Sequence, residues 1–157
     1  MAEHSAGILL YRRGRTGPEI FLVHPGGPFW AGRDKDAWSI PKGLYGEGED
    51  PLPAARREFR EETGQEAKGA CEFLGAFRQP GGKIVTVYAL EGDCDQTRIR
   101  SNVFSLEWPP RSGRMREFPE VDRAQWFSLG AAEKKLHKGL KPLVAAFEAW
   151  RKEKDRP

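Results

Sequence analysis

Residues 43–65 constrain this chain more than any other stretch, and they read GLYGEGEDPLPAARREFREETGQ. The glycines at the start indicate a turn that leads into a short helix. Asp50 is predicted to cap this helix, and Pro51 to take its first position, where a missing N–H has no cost. The helix is expected to run to Thr63 and end at Gly64. The rest of the chain must therefore supply a surface that buries one side of it.

The predicted helix gathers negative charge on one strip of its surface. Glu58, Glu61 and Glu62 follow the i, i+3, i+4 spacing that places side chains together. A separate, mostly apolar stripe is formed by Leu52, Ala55, Phe59 and Thr63. A hard divalent cation with oxygen ligands, Mg²⁺ above all, would neutralise such a strip. The alternative is a solvated face in which Arg57 and Arg60 form ion pairs with the acids.

The order of residues in this stretch decides between a metal site and a solvated, ion-paired face. Eight positions follow the pattern G-x5-E-x7-R-E-U-x-E-E-x-G-U, with U apolar, namely Gly43, Glu49, Arg57, Glu58, Phe59, Glu61, Glu62 and Gly64. This order resembles the Nudix box, and it is far more specific than a lone glycine motif. Gln65 departs from the pattern, because the family has an apolar residue there. The packing that follows the helix is therefore left open.

The resemblance implies an α+β fold of the α/β/α sandwich type, with a mixed central sheet between helices and the box as a loop-helix-loop. Hydrophobic patterns elsewhere agree with it. Strands are predicted at residues 5–11, 19–24, 73–78, 84–90 and 125–129, and helices at 131–137 and about 141–154. The length of 157 residues suits one domain over 1–157. Residues 95–120 are the least readable part, where a solvated loop is favoured over a phosphate-facing rim for Arg111, Arg114 and Arg116.

Composition excludes several other classes of protein. A net charge of +3 is too small for wholesale nucleic-acid binding, and no basic stripe with interleaved aromatics indicates it. Cys71 and Cys94 are isolated, which indicates reduced thiols and no zinc motif. The N-terminal apolar run is short and flanked by charges, so neither a signal peptide nor a membrane span is expected. We expect a cytoplasmic monomer or homodimer with a nucleotide substrate, no membrane association and no stable nucleic-acid partner.

The resemblance also implies a reaction and its residues. Nudix proteins use Mg²⁺ or Mn²⁺ to hydrolyse a nucleoside diphosphate linked to another group, by attack of water on phosphorus. The implied metal ligands are Glu58, Glu61, Glu62 and the carbonyl of Gly43, which is also expected to permit a tight turn. Arg57 would orient a neighbouring glutamate, while Glu49 and Gly64 would be structural. The intact box favours an enzyme over a nucleotide-sensing module that does not cleave.

A further acid outside the box is expected to act as metal ligand or general base. Glu120 is the candidate, because FPEVDRAQWF contains an E-x5-W that resembles diadenosine-tetraphosphate hydrolases. Glu107, Glu117 and Asp122 are its rivals. The sequence leaves the choice among these four acids open.

Substrate residues are predicted from two further stretches. WSIPKG before the box and KIVTVYAL at residues 83–90 resemble dinucleoside polyphosphate hydrolases. Lys42 and Lys83 would hold phosphate, Tyr88 would line the cleft, and Trp30 would stack on a base, although core packing is the alternative for both aromatics. The expected substrate is a dinucleoside polyphosphate such as diadenosine tetraphosphate. Nucleoside triphosphates, including oxidised ones, and ADP-ribose are the alternatives, the last because of Pro80.

Overall fold

The computed structural model describes residues 3–156. Its strands are β1 (His4–Arg13), β2 (Pro18–Pro25), β3 (Lys42–Leu44), β4 (Glu72–Arg78), β5 (Ile84–Glu91), β6 (Val103–Glu107), β7 (Met115–Pro119) and β8 (Val121–Ser128). Its α-helices are α1 (Pro51–Thr63), α2 (Leu129–Lys135) and α3 (Pro142–Lys154). Short 3₁₀ turns cover Gln96–Arg98 and Lys138–Leu140.

In the main sheet the central strand, β1, is only partly paired with its neighbour β2. Its strands lie in the order β4-β5-β1-β2-β8, with β1 and β5 parallel and the other pairs antiparallel. β1 pairs with β2 only near its end, at Tyr11, Arg12 and Arg13. Near its start, Ala6 pairs instead with Gly43 of β3. The first residues of the box therefore lie in the opening between β1 and β2.

Helices cover both faces of this sheet because its strands alternate their side chains. Ile8 and Leu10 of β1 pack with Phe59 of α1 in one buried cluster. Leu9, between them in sequence, packs with Phe147 of α3 in the other. The expected α/β/α sandwich is confirmed.

Helix α1 matches its sequence prediction closely. It spans Pro51–Thr63 and ends at Gly64, whose φ of 75° is the left-handed conformation that glycine favours. Asp50 occupies the N-cap position, but its side chain makes no capping hydrogen bond. Leu52 is only half buried and Ala54 is buried in its place, so the predicted stripe was wrong at that position.

The largest departure from the sequence prediction lies at 95–120. This segment contains the antiparallel hairpin β6-β7, with Phe104 opposite Phe118 and Leu106 opposite Arg116. β8 follows at once and begins at Val121, four residues earlier than expected. None of the helices in residues 3–156 combines the length and apolar character that crossing a membrane requires.

Candidate active site

The acids of α1 are crowded against β3. The pKa of Glu62 is raised to about 8, first by burial and then by the charge of Glu58, while Lys42 opposes the rise. Burial likewise raises the pKa of Glu58, which a hydrogen bond from Arg57 opposes. Two carboxylates are thus held where joint ionisation is unfavourable.

Gly43 is required by close approach. It lies in β3 opposite Ala6, so the expected tight turn at this residue was wrong. A Cβ built on Gly43 would collide with the carboxylate of Glu58. The missing side chain therefore makes room for an acid from α1.

Arg57 connects the box loop to the helix. It donates to Glu49, to Glu58 Oε1 at 3.1 Å and to the carbonyl of Leu44 at 3.3 Å. Glu61 Oε1 lies 3.6 Å from its Nε. The hydrogen bond to Glu58 and the surrounding acids raise the pKa of Arg57, so it stays charged. Glu49 anchors the guanidinium from the loop, which agrees with a structural role.

The donor set fits a hard divalent cation in its chemistry. Carboxylates whose mutual repulsion raises their pKa gain from a nearby positive charge. Glu58 and Glu61 both turn toward Arg57, however, and residues 3–156 contain no group of three or more His, Cys, Asp or Glu side chains arranged to hold a metal. The metal ligands therefore stay a prediction.

Glu120 faces the acids of α1 from the loop between β7 and β8. Its charge contributes to the raised pKa of both Glu58 and Glu62. Its backbone is fixed on both sides, since its N–H donates to the Asn102 carbonyl at 2.8 Å and its carbonyl accepts from the Gly26 N–H at 2.9 Å.

The rival acids are engaged elsewhere. Asp122 Oδ1 lies 2.8 Å from Nδ1 of the buried His24. Glu107 accepts the backbone N–H of Arg111 at 2.9 Å, beyond the end of β6. Glu117 lies within β7, opposite Ser105. Their positions favour Glu120 as the additional acid.

Three of the four predicted substrate residues line one pocket. Trp30, Lys42 and Lys83 border a cavity of about 320 Å³. Burial lowers the pKa of Lys42, and the charge of Lys83 lowers it further, whereas Glu62 raises it. The pKa of Lys42 therefore depends both on Lys83 of the pocket and on Glu62 of α1. The ring of Trp30 meets that of His137 edge to face, with centroids 6.5 Å apart.

Comparison with known proteins agrees with this arrangement. A family model described as NUDIX domain matches residues 1–147. The chain belongs to the NUDIX family of pyrophosphohydrolases. The RNA pyrophosphohydrolase of Caulobacter vibrioides is 48% identical over 50 residues, a match that spans 29% of this chain and 29% of that protein. Its match is therefore partial on both sides.

Solved structures show the NUDIX fold across nearly the whole chain. An Ap4A hydrolase from C. elegans, in a binary complex, is 21% identical, with a TM-score of 0.66 over 95% of this chain and 98% of that one. The NUDIX domain of Shewanella oneidensis NrtR, complexed with ADP ribose, is 14% identical, with a TM-score of 0.67 over 96% and 89%. At these identities the likeness extends to the fold alone.

Tyr88 lies apart from the pocket of this NUDIX protein. It packs against the cluster beneath α1, and its ring meets Phe73 edge to face at 6.1 Å. Burial raises the pKa of its hydroxyl. Lys83 and Tyr88 are five positions apart along the chain. Because side chains alternate between the two faces of a strand, residues an odd number of positions apart lie on opposite faces. The sequence therefore contained the signal that separates them.

Gln79 and His137 are among the pocket residues that sequence reasoning missed. Both line the cavity beside Trp30. His137 was assigned to the end of a helix, whereas it follows α2 and its backbone N–H bonds to the carbonyl of Trp38 at 2.8 Å. No motif marks either residue, because the tertiary fold alone brings them to the pocket.

Gln65, the residue that departs from the box, has a clear structural role. Its side-chain nitrogen donates to the Asp95 carbonyl at 2.9 Å, and its side-chain oxygen accepts the Asp95 N–H at 3.1 Å. Next to it, the Arg100 N–H donates to the carbonyl of Thr63 at 2.9 Å. A Cβ on Gly64 would lie 2.8 Å from the Arg100 carbonyl. The end of α1 thus anchors the chain that leads into hairpin β6-β7.

Proposed function

We propose that this NUDIX protein hydrolyses a phosphoanhydride bond in a nucleoside diphosphate-linked substrate, with a dinucleoside polyphosphate such as diadenosine tetraphosphate as the first choice. The observation that carries the proposal is the continuity between pocket and acids. Lys42 lines the pocket, and it lies close enough to Glu62 that the charge of each shifts the pKa of the other. A polyphosphate held by Lys42 and Lys83 would therefore extend directly toward the carboxylates.

Each group in the site has a distinct task in this reaction. Lys42 and Lys83 bind phosphate oxygens as point charges, and Trp30 with His137 offers rings for a base to pack against. Arg57 fixes the orientation of Glu58 through their hydrogen bond. Glu120 is the proposed general base, because it faces the acids yet belongs to a different element.

A divalent metal is the proposed cofactor, Mg²⁺ or Mn²⁺. The residues that would hold it are Glu58, Glu61, Glu62, Glu120 and the carbonyl of Gly43. When bound, the metal would neutralise phosphate charge and lower the pKa of the attacking water. Without the metal the acids should repel one another. Binding of the metal should therefore raise the free energy of unfolding.

A second candidate substrate is the 5′-polyphosphate end of RNA. The partial relative from Caulobacter vibrioides is named an RNA pyrophosphohydrolase, and it supports this choice. Pro80 also lines the pocket, near where ADP-ribose hydrolases have a characteristic proline, so ADP-ribose belongs among the compounds to be compared. Nucleoside triphosphates belong there as well.

The test is hydrolysis of these compounds with Mg²⁺, with Mn²⁺ and with a chelator. The highest kcat/KM is expected for the dinucleoside polyphosphate, with no turnover in the chelator. Glu62→Gln should lower kcat at least about 100-fold, because positioning of the reacting groups is lost. Glu66→Gln is the matched control, since Glu66 lies beyond the helix and pairs with Arg60.

Two results would count against the proposal. Binding of these compounds without turnover would favour the sensing module. Full turnover by Glu62→Gln would remove the basis for the metal site.

A further inference from the structure

Hairpin β6-β7 has two chemically different faces. Because paired residues of an antiparallel ladder share a face, and Trp108 bonds through its N–H to the Arg114 carbonyl at 2.9 Å, the alternation continues past the strand ends. One face, here called the aromatic-arginine face, consists of Phe104, Leu106, Trp108, Arg114, Arg116 and Phe118. The opposite face consists of Val103, Ser105, Glu107, Met115, Glu117 and Pro119. Both acids of the hairpin thus lie away from its strand arginines.

The aromatic-arginine face is turned toward the loop that carries Trp30. A Cβ on Gly27 would lie 2.8 Å from the ring of Phe104. The ring of Trp108 meets Phe29 edge to face at 5.4 Å, and Phe29 is 60% exposed. Aromatic rings therefore extend from Phe29, the residue next to Trp30 in the chain, onto the hairpin.

The base of the hairpin lies at the catalytic acids. The Asn102 N–H donates to the Glu61 carbonyl at 2.9 Å, just before β6. Glu120 directly follows β7. A polymer bound along the hairpin would therefore have one end beside Glu120.

The strand arginines and the acids of this hairpin lie on different faces. Residues 103–119 contain three arginines and two glutamates, a net charge of +1, and Arg114 and Arg116 lie on the face that neither glutamate shares. Arg111, Arg114 and Arg116 form no ion pair with any carboxylate of residues 3–156. A solvated surface stabilised by ion pairs would instead pair these cations.

We propose that the aromatic-arginine face binds the single-stranded chain of an oligonucleotide whose 5′-polyphosphate end lies at the acids. Aromatic rings for bases and free arginines for phosphates are what single-strand binding requires. Among the candidate substrates, RNA is the polymer that ends in a polyphosphate, and the inference rests on this second candidate of the proposed function. One water adds across the anhydride, its oxygen bonding phosphorus while the bridging oxygen leaves with the released phosphate and a proton passes to solvent. The oligonucleotide is a substrate and not a stable partner.

Binding without hydrolysis isolates the hairpin from the active site. The probe is a 3′-labelled RNA of about 12 nucleotides with a 5′-hydroxyl, measured by fluorescence anisotropy in a chelator. It has no phosphoanhydride, so the outcome is independent of turnover. If two phosphates are neutralised, log K should fall with log salt at a slope of about −1.4.

Separate variants remove the positive charge and the aromatic ring of the aromatic-arginine face. The double variant Arg114→Gln, Arg116→Gln should bind at least about tenfold more weakly, with a slope near zero. Trp108→Ala should also lose about tenfold, and Trp108→Phe, which keeps a ring, should restore most of it. The matched control is Arg13→Gln, Arg15→Gln, with the same change of charge at the far end of β1. It should bind as the wild type does.

Hydrolysis then connects the surface to the reaction. The kcat/KM for the same RNA with a 5′-triphosphate, divided by that for the dinucleoside polyphosphate, should fall about tenfold in the hairpin variants through KM. If no nucleotide is hydrolysed, the proposed function fails, while the 5′-hydroxyl probe still decides the surface.

Three outcomes would overturn the inference. One is wild-type affinity and salt slope in the double arginine variant. Another is an equal loss in the Arg13, Arg15 control, which would mean unspecific attraction by charge. The third is a wild-type dimer that the hairpin variants convert to monomer in size-exclusion chromatography, which would make the face a contact between two copies. Circular dichroism melting of each variant excludes loss of fold as the cause.

Discussion

Helix α1 and hairpin β6-β7 meet at the same acids but are specified in different ways. The helix follows from a local pattern of caps, apolar spacing and box residues, and its buried side rests on the main sheet. The hairpin has no buried residue of its own among 103–119, and it is positioned by bonds to the end of α1 and to the loop before Trp30. Reactive groups are thus encoded locally, whereas their surroundings depend on tertiary contacts.

Gly43→Ala should have the largest effect on activity, because β3 approaches the acids of α1 at this residue too closely for a side chain. The added Cβ would collide with the Glu58 carboxylate and displace it. A displacement of about 1 Å lowers kcat roughly 100-fold. Steady-state hydrolysis measures this. Gly46→Ala is the control, since nothing lies within 4 Å of its Cβ position, and equal losses in both variants would contradict the argument.

Glu120→Gln tests whether the hairpin side contributes to the chemistry. Loss of a general base should lower kcat about 100-fold at saturating metal, without preventing folding. The control is Glu117→Gln, three residues earlier on the opposite hairpin face, which should retain activity. Unchanged rate and metal dependence in Glu120→Gln would restrict the catalytic groups to α1.

The pH dependence of the stability of the metal-free protein tests the surroundings of Glu62 on helix α1. The pKa of Glu62 is about 8 in the fold, above its ordinary value of 4.5, so the fold disfavours the charged form. Stability should therefore be greatest below pH 4.5 as far as this group is concerned, and should fall as pH rises through 8. Thermal melting in a chelator should show this decline, with Glu62→Gln flattening it. Mg²⁺ should restore melting temperature most at high pH, and an equal effect at all pH values would contradict the assignment.

Gln65→Leu, which restores the usual box residue, should have the smallest effect and act at the junction of the two regions. Loss of its paired hydrogen bonds to Asp95 should cost about 1–2 kcal/mol of unfolding free energy. Denaturant unfolding measures the cost, and hydrogen exchange should quicken at 94–102. Gln96→Leu is the control, because Gln96 is exposed in the same segment. A more stable Gln65→Leu protein would mean that apolar packing outweighs the amide pairing.

The sequence predicted the elements that bury a regular apolar pattern. Helix α1 and four of the strands agree within two residues, because the helix has an amphipathic period and the strands are short apolar runs between turn residues. β6 was missed because its apolar residues form only a short patch, and because Phe104 packs against Gly27 of a loop that is distant in sequence. Arginines dispersed through 111–116 then indicated solvent exposure.

The site divides in the same way. Lys42 was placed near the site because it adjoins the box, and Lys83 because KIVTVYAL resembles dinucleoside polyphosphate hydrolases; both line the pocket. His137 reaches the pocket through the chain that follows α2, which no spacing announces. The tight turn expected at Gly43 was wrong, since a collision between two distant segments cannot be read from either one.

The parallel pairing of β1 with β5 has a consequence for the order of folding. His4 pairs with Ile84, and the whole box lies in the chain between them. Closing so long a segment is slow, because its entropy must be lost before the contacts form. Until β5 docks, the sheet beneath Phe59 is incomplete, and the acids of α1 are free to separate in water. The proposed metal site should therefore form only once β5 has docked, because burial then adds to the repulsion that the helix spacing already creates.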